Sequence, residues 1–330
     1  MTQEQITRLV KASGVSAGEL ILLHFWGEDG QRPWLDRFAA AVASLGASPV
    51  VLQQSRTGNR ALFGAASEEA FSDRYFERFS GFDAVLDLFA QEPLTLGEQL
   101  PPEQQKRYHR YLARLFAVLM KSGRFAQLRL PTAENAAAAG LEPEDFRRRM
   151  TEAYDVDYGA LCRACEREAA RFSGVTRVAL RTGQDCVLHL DLNGRRWSCD
   201  AGDGDLPAGE VYIAPVEEQT NGSVFFDTLF LEGRRFSDVM LRVENGAVCE
   251  ANDPAVWDWF AARTQAERVV CELGIGLNAH LTELCGYSVL DEKAAGTFHI
   301  AVGANNLFGG QNAAADHVDF VGRGRIEAEA

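Results

Sequence analysis

No stretch of this 330-residue chain approaches the roughly 18 consecutive apolar residues that a membrane-spanning helix needs. Positive charge is also scarce: 33 Lys and Arg stand against 47 Asp and Glu, for a formal charge of −14. No basic run offsets that balance, so it argues against nucleic-acid and anionic-membrane partners. Met1 to Val10 is polar and mixed in charge, without the basic start and apolar stretch of a secretory signal. Seven cysteines form an odd count with no disulfide-framework spacing, as expected of a reducing compartment. The expected location is the cytoplasm.

Nucleotide-binding loops are missing as well. No GxGxxG follows the first apolar run, and no GxxxxGK[ST] occurs, so neither a dinucleotide nor a P-loop site is expected. Gly27-Glu-Asp-Gly30 reads as a turn whose two carboxylates would repel a phosphate. There is one CxxC, Cys162 to Cys165, in a segment of helical pattern. No second pair completes a four-ligand zinc site, so these read as ordinary helix cysteines. Apart from Arg163 beside Cys162, no cysteine has a basic or histidine neighbour to lower its pKa, which argues against a thiolate nucleophile.

What is present is an ordinary soluble composition, 46% apolar and 24% charged, on a length that suits two domains. Strand-like and helix-like segments alternate in the first half. Glu19 to Trp26, Ser48 to Leu52, Phe82 to Ala90 and Phe125 to Leu130 read as strands; Pro33 to Leu45 and Gln104 to Met120 read as helices. The pattern predicts an α/β N-terminal domain with a mostly parallel sheet. Glu142 to Ser173 is helical and charged, a connector that closes a first domain at residues 1–172. From Val175 short strands succeed one another, among them Asp185 to Leu192, Arg195 to Ser198 and Ser223 to Leu231. Asn193-Gly194 and Asn245-Gly246 read as hairpin turns. Residues 173–330 are therefore expected to form an α+β metal-binding domain rich in antiparallel strands.

Residues that bind divalent metals collect late in that second half. Zinc, cobalt, manganese and iron take imidazole nitrogen and carboxylate oxygen. Glu210 opens an apolar strand, and Glu272 precedes Leu-Gly-Ile-Gly. His299 lies in the apolar run Thr297-Phe-His-Ile-Ala-Val302, where a lone histidine is more often a hydrogen-bonded core residue. His317 and Asp319 form an H-x-D pair, and residues two apart on a strand face one side. Asp291 and Glu292 lie in a polar turn and read as supporting residues. Each signal alone is modest, and their ordered joint occurrence is the informative feature.

That order is Leu206-Pro-Ala-Gly-Glu-Val-Tyr-Ile-Ala-Pro215, Asn221-Gly222, Glu272-Leu-Gly-Ile-Gly-Leu-Asn278, Asp291-Glu-Lys293, Gly296-Thr-Phe-His-Ile-Ala-Val-Gly303, Asn305, Phe308-Gly-Gly310 and His317-Val-Asp319. It resembles the aminopeptidase T family of metallopeptidases, in particular its short microbial branch, often named leucyl aminopeptidase. The resemblance covers residues 140 to 320 well and the first half loosely. It implies a homodimeric metallo-aminopeptidase that releases N-terminal residues from short peptides. It also implies two divalent ions, zinc, cobalt or manganese, held by Glu210, Glu272, His299, His317 and Asp319. Glu272 would be the carboxylate that bridges the ions and the residue on which catalysis depends.

Three features depart from the family pattern. Asn306 stands where the longer aminopeptidases have a tyrosine, the two histidines are only 18 residues apart, and the sequence ends 11 residues after Asp319. They leave open a peptide-binding or peptide-tailoring protein on the same scaffold, without turnover. A further alternative is a mononuclear iron ring-cleaving dioxygenase. The 2,5-dihydroxypyridine dioxygenases share the scaffold but have histidine at the Glu272 position and an apolar residue at the His299 position. A two-histidine, one-carboxylate set suits non-haem iron. Glu272 and His299 therefore favour the hydrolytic reading.

Overall fold

A computed structural model describes residues 1–92 and 100–329. The chain forms two compact units: Met1–Asp155 with Gly202–Pro207, and Val156–Ala201 with the chain from Ala208 on.

In the first unit, β1 (Leu20–Trp26), β2 (Ser48–Gln54), β3 (Ala84–Phe89) and β4 (Arg124–Arg129) form a parallel sheet in the order β2-β1-β3-β4. β3 is buried along its whole length and β1 everywhere but Leu20, the signature of a strand covered on both faces. α1 (Gln3–Ala12) precedes β1, and between the strands run α2 (Arg32–Ser44), α3 (Arg56–Ala65), α4 (Asp73–Glu77) and α5 (Pro102–Leu119). Phe63, Phe76, Tyr108, Tyr111, Leu115 and Leu119 from α3, α4 and α5 gather on Leu22 and Val85. The helical segment after β4 is broken into α6 (Ala133–Ala138), α7 (Pro143–Tyr154) and α8 (Tyr158–Arg171). Asp157 caps α8, accepting from the Ala160 amide at 2.9 Å. α8 packs on strands of the second unit and belongs to it.

The second unit holds two antiparallel sheets. The larger contains β5 (Arg177–Arg181) and β6 (Val187–Asp191). The smaller begins with β7 (Ser198–Asp200). Asn193-Gly194 therefore joins two sheets and is not the hairpin turn expected, since β6 pairs with β5 and β7 pairs elsewhere. The next strand, β8 (Asp205–Leu206), returns to the first unit and pairs in parallel with β4. At two residues it is too short to carry a periodic signal. The chain continues through β9 (Glu210–Ile213), β10 (Asn221–Leu231), β11 (Arg234–Glu244), β12 (Ala247–Ala251), α9 (Pro254–Ala261), β13 (Val270–Gly276), α10 (Ser288–Asp291), β14 (Phe298–Gly303), β15 (His317–Gly322) and β16 (Arg325–Ala328). Asn245-Gly246 is a true hairpin turn between β11 and β12. Both residues have positive φ, 48° and 82°, the conformation that Asn and Gly accept most readily.

The larger sheet runs β12-β11-β10-β6-β5-β16 and the smaller β15-β14-β13-β9-β7. They share one core: Val224, Phe226, Val239 and Leu241 from the larger meet Ile213, Leu273, Phe298, Ile300, Val302 and Phe320 from the smaller. Side chains alternate along a strand. Burying Phe298, Ile300 and Val302 on one face of β14 therefore commits His299 and its neighbours two away to the opposite face. Among the described residues no helix is long and apolar enough to cross a membrane.

Candidate metal centre

The face of the smaller sheet turned away from the shared core carries the expected residues. Strand pairing sets Glu210 beside Asp200 and Gly276, His299 beside Gly274, and Asp319 beside Ala301, which is itself beside Glu272. A bulge between Val270 and Glu272 inserts one residue into β13. It lets Val270 and Leu273 both face the core while Glu272 stays on the polar face. All five side chains converge. Glu272 Oε1 is 3.1 Å from His299 Nε2, and its other oxygen is 3.5 Å from His317 Nε2. Glu210 Oε2 is 3.5 Å from His299 Nε2, and Asp319 Oδ1 is 3.4 Å from His317 Nε2. Donor atoms of Glu272, His317 and Asp319 lie within 4.8 Å of one another.

Gly274 makes that convergence possible. A Cβ built there would stand 2.0 Å from His299 Nε2, so the imidazole occupies the space a side chain would need and leans toward Glu210. His317 is held from behind: its Nδ1 donates to the Ala304 carbonyl at 2.8 Å, and the Cys271 thiol lies 3.6 Å away. This leaves Nε2 turned to the carboxylates. The β14–β15 loop is pinned by buried Asn305, which donates to Glu217 and to the Cys271 carbonyl and accepts from the Asn312 amide. Asn306, the position that departs from the family pattern, is exposed on that loop.

Further participants had little sequence signal. Lys293 is buried and its ammonium contacts Glu210, Glu292 at 2.9 Å and Asp200 at 3.8 Å. Glu292, read from the sequence as a supporting turn residue, thus reaches the site through Lys293. Asp291 instead accepts the amides of Cys285 and Gly286 and fastens the preceding loop. Asp200 arrives through β7 alone, since no motif marks it. Tyr212, two residues after Glu210, faces the same side.

Charge dominates the electrostatics. Burial pushes the Glu272 and Glu292 carboxyls up, Glu292 strongly. Burial opposes a charged His299, yet the carboxylates of Glu272, Glu210 and Asp319 raise it to about 9. His317 is likewise lifted, against burial, by Asp319 and Cys271. Burial disfavours the Asp319 carboxylate, but His317 holds its pKa below the usual range. Burial, and then Glu272, Glu210 and Asp200, push the Tyr212 phenol up to about 12.

The donor set fits a divalent cation. Imidazole and carboxylate are the appropriate ligands. At this site two buried atoms, Glu210 Oε2 and His299 Nδ1, have no hydrogen-bond partner among the described residues, and Glu210 Oε2 faces His299 Nε2 at 3.5 Å.

Comparison with known proteins agrees with this chemistry. The family described as thermophilic metalloprotease (M29) matches residues 8–322, which makes the protein a metallopeptidase by class. The chain belongs to that M29 family, the aminopeptidase T family to which the motifs pointed. Among solved structures it is similar to wild-type AmpT from Thermus thermophilus, at 20% identity and TM-score 0.68, over 99% of this chain and 97% of that one. It is also similar to 2,5-dihydroxypyridine dioxygenase from Pseudomonas putida KT2440, at 13% identity and TM-score 0.66, over 99% and 93% of the two chains. These likenesses establish the fold. No curated protein matches the chain.

Two expectations follow. Gly274→Ala forces the His299 ring aside, so metal affinity should fall at least about tenfold, since one donor–metal contact of ~1.4 kcal/mol suffices for that. Titration calorimetry reads the affinity and circular dichroism checks that the fold persists; undiminished affinity would refute the close approach. The second concerns the metal-free protein. His299 is raised above its unfolded value of about 6.5, so its stabilising contribution is complete below pH 6.5 and is lost as pH rises through about 9. Raised His317, Glu272 and Glu292 act in the same direction. The melting temperature should therefore fall between pH 6.5 and 9, and a rise across that range would contradict the assignment.

Proposed function

We propose that this metallopeptidase is an aminopeptidase acting on short peptides, with two divalent ions, zinc, cobalt or manganese, bound by Glu210, Glu272, His299, His317 and Asp319. One observation carries the reading: the two oxygens of Glu272 face different imidazoles, Oε1 toward His299 and Oε2 toward His317. Glu210 stands on the His299 side and Asp319 on the His317 side. Placed so, Glu272 would offer one oxygen to an ion on the His299 side and the other to an ion on the His317 side. Charge supports it. The centre gathers five carboxylates, Asp200, Glu210, Glu272, Glu292 and Asp319, and one ammonium, Lys293, which contacts Asp200, Glu210 and Glu292. When all are ionised, five minus one leaves four negative charges, the complement of two divalent cations.

Bound ions would lower the pKa of a water, polarise the scissile carbonyl and accept the free amino terminus of the peptide. The chain's own residues set the rest. Lys293 keeps Glu210 and Glu292 oriented and neutralises part of their charge. The Ala304 carbonyl fixes the His317 ring. The carboxylates provide both the ligand field and a basic group to take the proton of the attacking water. The AmpT neighbour and the motif resemblance support the aminopeptidase assignment; the resemblance also supports a homodimer, and the polar N-terminus and cysteine spacing support a cytoplasmic location.

Elemental analysis of purified protein should give two zinc-, cobalt- or manganese-type ions per chain. Glu272→Ala should reduce that number to one or none and slow release of N-terminal residues by about a thousandfold or more. One iron per chain would point to the oxygenase chemistry of the structural neighbour instead. Tight peptide binding with no cleavage under any of these metals would make the protein a peptide binder.

A further inference from the structure

Amide hydrolysis builds negative charge on the carbonyl oxygen, and a donor aimed at that oxygen lowers the barrier. The polar face of the smaller sheet is rich in acceptors and poor in free donors. Lys293 is engaged by Glu210 and Glu292. His299 and His317 belong to the candidate ligand set. Asn305 spends its amide on Glu217 and the Cys271 carbonyl. Tyr212 is different.

Strand register places Tyr212 beside Gly274 on one side, and Gly274 is in turn beside His299. Gly274 places no side chain in that row, and the His299 imidazole leans into the space it leaves. On the other side Tyr212 pairs with Ser198, whose hydroxyl hydrogen-bonds the phenol. The ring meets Phe308 edge-to-face at 5.6 Å, and Phe308 meets His317 at 5.7 Å. One aromatic contact chain thus runs from Tyr212 to His317. Glu272, Glu210 and Asp200 are the charged groups that act on the phenol. Tyr212 is half-buried, whereas His299 is sealed at 1% exposure, so the tyrosine retains a side open to a ligand.

We propose that Tyr212 is a catalytic residue of this centre, its phenol O–H donating a hydrogen bond to the scissile carbonyl oxygen as that oxygen becomes an oxyanion. The inference rests on the hydrolytic reading above. Water's oxygen bonds to the carbonyl carbon, and the C–N bond then breaks. Both protons of the water finish on the leaving amine, which departs as an ammonium, and the acyl part departs as a carboxylate. The tyrosine keeps its proton throughout, as phenols do at neutral pH.

The test is Tyr212→Phe in the full-length, metal-loaded enzyme, a change that keeps the ring on Phe308 and removes one oxygen. We expect kcat to fall about a hundredfold with KM nearly unchanged, the cost of one oxyanion donor. Metal stoichiometry and melting temperature should match the wild type. A second readout needs no turnover: affinity for a phosphonate peptide analogue, whose tetrahedral phosphoryl oxygen mimics the oxyanion, should fall by a similar factor, while affinity for the product amino acid holds. A variant that retains kcat and phosphonate affinity overturns the role, as does one that loses activity only by losing metal. If the wild type cleaves no peptide, the aminopeptidase reading itself fails. Cleavage by both wild type and variant at equal rates sinks Tyr212 alone.

Discussion

Crowding of buried negative charge on one face of a five-stranded sheet is the constraint on which the second unit turns. Asp200, Glu210 and Glu272 are buried, and Glu292 and Asp319 are mostly covered; such groups are costly without compensation. Lys293 supplies one positive charge. The two histidines supply more by holding protons above their ordinary range. A divalent cation answers the same need with better geometry, and binding it means displacing those protons. Metal dependence is in this sense built into the charge balance of the sheet.

The rest of the unit serves to hold that face still. Phe298, Ile300 and Val302 drive one side of β14 into the core shared by the two sheets, so His299 has no alternative direction. The bulge in β13 brings Glu272 into phase. Gly274 yields its volume to the imidazole. Apolar burial and polar convergence are therefore two consequences of one alternation. The similarity to both a peptidase and a dioxygenase shows that this scaffold does not choose a reaction. The choice lies with the side chains at single positions, and here Glu272 and His299 face each other at 3.1 Å.

Much of this was legible in the sequence, for identifiable reasons. β1 and β3 are uninterrupted apolar runs, so buried parallel strands were evident. H-x-D on a strand implies a shared face, and β15 places His317 and Asp319 as expected. Asn193-Gly194 misled because the turn chemistry is local, whereas the sheet each flanking strand joins is decided by distant partners. β8 has two residues and exists only because β4 offers an edge. Lys293 follows the polar turn of Asp291 and Glu292, and nothing local marks its ammonium as buried among three carboxylates.

By itself the sequence determined the family, the alternation of elements and the five candidate ligands, because motif order and strand period are properties of neighbours along the chain. Only the tertiary structure decided that Glu272 stands between the two histidines, that Asp200 and Lys293 join them, and that Tyr212 shares their face. Those relations depend on register between strands far apart in sequence, which is set by the packing of Phe226, Phe298 and Phe320 in the common core.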